Sequence, residues 1–201
     1  MLWAALGAVV ASALWAGGVF VLGRNAGPEA DLRGYEAKTN LCTSIDHSSV
    51  DSEYPEEDDN PLHHSLAHGA LDESYCSLSL QRSSTSYSYA YLSVKVDLHK
   101  KTDPAPEFTA LWSEYDQRYE DYDVEKLSGF GDEAYLVTSE PSDSQYATLA
   151  VRDGWMTYEM SWSIYTSSYD DDEKEEKPDL SDVEKWLKTD TKATLEKLRS
   201  D

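Results

Sequence analysis

The first 23 residues, MLWAALGAVVASALWAGGVFVLG, carry no charged side chain. As one helix rising about 1.5 Å per residue they reach roughly 35 Å, enough to cross a hydrocarbon core about 30 Å thick. A soluble core rarely needs such a run, and the sequence turns abruptly polar at Arg24. Residues 1–23 therefore read as a single transmembrane anchor. A cleaved signal peptide would carry a basic leader and a small-x-small site after a shorter apolar core. Here Ala11-Ser12-Ala13 falls inside the run, so the anchor is expected to be retained.

Two signals for orientation conflict. Arg24, Arg33 and Lys38 follow the apolar run and no cation precedes it, which by the positive-inside rule would hold the remainder in the cytoplasm. Against this stand the chain's two cysteines, Cys42 and Cys76, an even pair of the kind an oxidising compartment uses. Joined, they would stabilise the fold by roughly 3–4 kcal/mol in the chain-entropy picture. The cysteines decide the expectation: a single-pass membrane protein with its soluble part outside the cytoplasm. A basic stretch upstream of Met1 would reconcile the two signals.

The 201 residues include 39 acids and 17 Lys or Arg, a formal charge of −22 that falls entirely after the anchor. Such a polyanion repels nucleic acid and anionic headgroups, whose recognition needs clustered cations. Apolar residues at 40% exclude a disordered chain.

Residues 24–40, with Gly27-Pro28 and Gly34, read as a linker, and residues 41–201 as one acidic domain. Asn60-Pro61 is expected to open a short helix bearing Leu62, Leu66 and Leu71. Period-two alternation then predicts a hairpin: Cys76, Leu78 and Leu80 on the first strand, Ala90, Leu92, Val94, Val96 and Leu98 on the second. Between Pro104 and Val124, Phe108, Leu111, Trp112, Tyr115, Tyr119 and Tyr122 fall at helical spacing. Further strands are expected near Glu133–Ser139, Gln145–Arg152 and Trp155–Tyr165, with Asp153-Gly154 turning between the last two. Ser181 and Glu184 form a capping box for a final helix. The predicted class is α+β: an antiparallel sheet of about five strands with helices on one face.

Motifs associated with chemistry fail on context. His63, His64 and His68 lack the glutamate of a zinc-protease helix, so no metal site is expected. Gly129-Phe130-Gly131-Asp132-Glu133-Ala134 matches a dinucleotide fingerprint but leads into a strand where a pyrophosphate needs a helix N-terminus, so no cofactor is expected. Asp121, Asp123 and Glu125 begin like a calcium loop, yet Lys126 stands where glycine is required. Tyr87, Tyr89 and Tyr91 are the most suggestive surface feature. They share the non-core face of their strand, where aromatics in a row can stack on a sugar or grip a partner, unless a helix or the linker covers them.

Leu41-Cys42, Cys76 at the head of a strand, the Gly129–Tyr135 turn and Val151-Arg152-Asp153-Gly154 together resemble small exported domains of actinobacteria, lipoproteins among them. These are distantly similar to the extracellular sensor domain of mycobacterial serine/threonine kinases. The resemblance spans roughly residues 42–165 and implies a helix-backed antiparallel sheet, a disulfide, a cell-surface location and no established catalysis. The expected function is a non-catalytic module that binds or senses a protein or small-molecule ligand. The alternatives are a structural subunit of a membrane complex and a carboxylate- or histidine-dependent hydrolase.

Overall fold

The computed structural model describes residues 29–56, 60–81, 89–166 and 177–199. The expected anchor, residues 1–23, lies outside them, and among the described residues no helix is long and apolar enough to cross a membrane. The alternating segments pair in register. β2 (Leu71–Gln81) and β3 (Tyr89–His99) run antiparallel, with Cys76 opposite Val94 and Leu78 opposite Leu92. β5 (Glu133–Ser139), β6 (Ser144–Asp153) and β7 (Met156–Tyr165) form a second meander, and β7 pairs with β3.

Two further strands extend the sheet. β1 (Leu62–Ala67) pairs with β2 at one edge, and β4 (Asp123–Leu127) with β5 at the other. Seven antiparallel strands, ordered β1-β2-β3-β7-β6-β5-β4, thus replace the expected five. Both additions correct a helical reading. Leu62 and Leu66 sit four apart, a spacing that suits a helix face and also the same side of a strand. All six β1 residues are exposed, so no buried helical face existed to form. The 104–124 helix divides into α2 (Ala105–Trp112) and α3 (Tyr115–Arg118). The Ser113 hydroxyl donates back to the Thr109 carbonyl at 2.7 Å, and Asp121 enters the left-handed region at φ 67° before β4 begins.

The main core lies on one side of the sheet. Trp162, Met160, Tyr158, Leu92 and Leu149 point into it, covered by α4 (Leu180–Leu198) and by α1 (Ser48–Asp51). Val183, Leu187, Thr191, Thr194 and Leu198 form the buried stripe of α4. Asp179, not the expected Ser181, caps it: its carboxylate accepts from the Ser181 N–H at 2.8 Å. Tyr54 and Trp186 meet Trp162 edge-on at 4.9 and 6.1 Å. Cys42 and Cys76 form a disulfide, which staples the turn at Leu41–Thr43 to β2.

Helices do not keep to one face. Phe108 and Trp112 of α2 pack on the opposite side, against Tyr135, Val137 and Ala150. The cause is β5, which alternates Ala134 and Leu136 on one side with Tyr135 and Val137 on the other, so both its faces demand cover.

Part of the expected linker is docked. Tyr35 is buried and bridges antiparallel to Arg199, bringing the chain's entry to the end of α4. Its hydroxyl donates to buried Asp153 at 3.0 Å. Arg33 reaches the same carboxylate at 3.2 Å, and Arg199 also bonds to it. Gly154 follows at φ +61°, and any Cβ there would strike the Asp31 carbonyl.

Candidate functional site

The sheet face away from α4 is partly open, and its rows can be read across the strands. At one end Ser79, Tyr91, Ser163 and Tyr146 stand in register on β2, β3, β7 and β6. The next row holds Leu62, Ser77, Ser93, Ser161 and Thr148, and the one after it His64, Tyr75, Lys95, Glu159 and Ala150. A floor of small hydroxyl residues therefore runs between a tyrosine ridge and a charged ridge. Thr148 donates to Ser161 at 2.9 Å; among the described residues, the hydroxyls of Ser77, Ser79, Ser93 and Ser163 have no protein partner.

Tyr91 is 41% exposed and Tyr165 52%, high values for rings on a sheet. Tyr165 meets Tyr146 edge-on at 5.6 Å. Burial and the neighbouring Tyr165 hydroxyl push the Tyr146 phenol up to about 12, so it stays neutral. Of the three tyrosines expected to share this face, Tyr87 lies outside the described residues and Tyr89 begins β3. Tyr91 lines a cleft of about 440 Å³ together with Ser77, Ser79, Leu62, Pro61 and Asn60. That volume falls in the range of about 300–1,000 Å³ usual for small-ligand sites.

An aromatic wall stands over the β4–β6 end. Trp112 stacks on Tyr115 at 5.5 Å, Tyr115 meets Tyr122 at 5.2 Å, and the Arg118 guanidinium lies 4.9 Å from the Tyr115 ring. On the charged ridge Lys95 contacts Asp97 at 2.8 Å and Glu73 at 3.2 Å. Burial raises the pKa of Asp97, and Lys95 offsets it only in part. Burial likewise raises Glu159, the residue beside Lys95 on β7. Burial works against the Lys95 ammonium, but Asp97 and Glu73 outweigh it and hold its pKa above the ordinary value.

No family model, curated protein or solved structure matches the chain. The geometry alone bears on function.

His63 and His64 alternate across strand β1; His63 also lines the Tyr91 cleft, and His64 stacks on Tyr75 at 4.7 Å. His68 follows the strand, where its Nδ1 accepts from the Ala70 N–H at 3.2 Å. Among the described residues no three His, Cys, Asp or Glu gather as metal ligands. Gly129 and Gly131, at φ +83° and +53°, form a turn that leads into β5. Asp123 and Glu125 lie on edge strand β4.

Tyr146, Tyr165 and the serine floor were missed as site residues. Their off-core parity is readable from the alternation of β6 and β7. What brings them beside Tyr91 is the β3–β7 pairing, between strands far apart in sequence.

Proposed function

We propose that the protein is a non-catalytic binding module, held outside the cytoplasm by residues 1–23, that takes its ligand on the tyrosine-bearing sheet face. The observation that carries this reading is the row Tyr91-Ser163-Tyr146, with an exposed ring beside a cleft and a rigid sheet beneath. Exposed aromatics on a preorganised scaffold bind at low entropic cost, because the rings have few torsions left to lose. Among the described residues nothing in the cleft pairs a nucleophile with a positioned base: its lining joins hydroxyls, one amide and the His63 imidazole to apolar surface. The disulfide agrees with an oxidising compartment.

Tyrosine-selective chemical labelling of the full chain tests the reading, on intact cells and after purification. We expect impermeant reagent to reach the protein from outside, with Tyr91 and Tyr165 less reactive on cells than when purified and Tyr119 unchanged. Equal reactivity of Tyr91 and Tyr165 in both settings refutes the binding face. Labelling that requires cell lysis refutes the location.

A further inference from the structure

The ligand class follows from the charge and spacing of the same face, and the inference rests on the binding-face reading above. The molecule carries a formal charge of −22, yet among the described residues the tyrosine row and serine floor contain no Asp, Glu, Lys or Arg from Ser79 and Ser77 across to Tyr146 and Thr148. Anionic ligands are repelled by the surrounding field. Cationic ligands would find carboxylates on the bordering charged ridge, where Lys95 already pairs with Glu73 and Asp97, but none within this strip. A neutral ligand matches the strip's charge.

The shape narrows the class. Adjacent strands lie about 4.8 Å apart, so Tyr91 and Tyr146, two strands apart with small Ser163 between, stand roughly 10 Å from one another. That is about the length of two linked pyranose rings. Among the described residues the hydroxyls of Ser77, Ser79, Ser93 and Ser163 alongside have no protein partner, and each can both donate and accept. A pyranose offers the complement: an apolar C–H face for a tyrosine ring and a rim of hydroxyls for serines. Asn60, which also lines the cleft, adds an amide. We propose that this face binds an uncharged oligosaccharide lying across the strands, with sugar rings on Tyr91 and on the Tyr146–Tyr165 pair.

The test titrates the detergent-solubilised full chain with four probes. These are a neutral β-glucan hexasaccharide, an N-acetylglucosamine hexamer, the de-acetylated amine form of that hexamer, and a lysine hexapeptide. Binding is read by calorimetry and saturation-transfer NMR. We expect one or both neutral hexamers to bind, with affinity lowered tenfold or more by Tyr91→Ala and by Tyr146→Ala. Tyr119→Ala, outside the row, should leave it unchanged, and each variant's thermal midpoint reports folding. A lysine peptide or amine hexamer that binds through Tyr91 while neutral hexamers do not overturns the ligand class but keeps the binding face. Neutral hexamers whose affinity ignores Tyr91→Ala and Tyr146→Ala overturn both, and so does the absence of binding by any probe.

Discussion

Opening the Cys42–Cys76 bridge removes a constraint on the unfolded chain whose size follows from its span. The two cysteines are 34 residues apart. In the chain-entropy model, closing a loop of that length removes about 12.6 cal/mol/K, or about 3.8 kcal/mol at 25 °C. The enclosed segment contains the four-residue α1 and edge strand β1, whose six residues are all exposed. Besides the bridge, the segment is held by the pairing of β1 with β2, by Tyr54 against Trp162, and by α1 against α4, where the Asp190 carboxylate accepts from the Ser49 and Val50 N–H groups at 3.1 and 3.3 Å. For a domain of this size, 1 kcal/mol corresponds to about 2–4 °C, so losing the bridge should lower the thermal midpoint by about 8–15 °C. It should also raise the urea m-value, because the unbridged chain exposes more surface when unfolded. Thermal and urea denaturation of the full chain, compared with the Cys42→Ala/Cys76→Ala double variant, checks both quantities. Reduced wild type separates loss of the bond from loss of the thiols. A double variant within about 3 °C of wild type, with an unchanged m-value, would refute the reasoning.

Three other outcomes follow from the geometry. The Asp46 carboxylate, bonded to Lys197 at 2.8 Å and to Ser48, is held at about 2 chiefly by Lys197. Its contribution is therefore full above the ordinary value of 3.8 and lost as pH falls through about 2; after solvent screening, Asp46→Ala should cost about 1 kcal/mol at pH 6 and almost nothing near pH 2, as read by denaturation at both. Glu159 behaves oppositely. Burial lifts its pKa above 4.5, so the charged form is penalised in the fold and stability falls as pH rises through and above that value. Glu159→Gln should leave the thermal midpoint at pH 7 unchanged or higher and flatten its slope between pH 4 and 7, whereas a drop of several degrees at pH 7 would contradict the account. Gly154→Ala forces a Cβ into the Asp31 carbonyl at a left-handed φ and should cost more than 2 kcal/mol in denaturant unfolding, while Gly69→Ala, with open space around it, should cost less than 1.

The central strands were legible because period two is unambiguous when one face is fully apolar. Ala90 to Leu98 and Met156 to Ile164 alternate without a break, and both are buried as read. The edge strands were not legible. β1 has no buried face, and the short β4 follows an aromatic run whose spacing served a helix equally well. The partition of helices between two faces was hidden for a related reason. It depends on β5 being apolar on both sides, which in seven residues cannot be told from a buried helical segment. At the candidate site, Tyr91 was found from its strand alone. Its partners depended on the β3–β7 pairing, and nothing local in either strand encodes that. The docking of residues 29–40 was obscured by glycines and mixed charge: a linker and a segment held by ion pairs read alike until the acceptor, Asp153, is known to lie beneath them.

Where the chain enters the domain bears on how the proposed binding face would be presented. Tyr35 and Arg33 fix that entry at the β6–β7 turn, through Asp153. Tyr146 lies seven residues back along β6, about 24 Å away at 3.4 Å per residue. Tyr91 at the start of β3 and Tyr165 at the end of β7 share that far end. An anchor preceding residue 29 would therefore hold the domain by the end opposite its tyrosines. The Asp153 clasp fixes this polarity because it ties both termini of the domain to one turn, and pivoting there would have to break bonds to a buried carboxylate. Asp153→Asn tests the point independently of any ligand. It should loosen residues 29–40, seen as faster amide exchange at Tyr35 and Trp155, and leave exchange at Tyr91 and Ser163 unchanged. If exchange rose equally at both ends, the clasp would be part of the global fold and would set no direction.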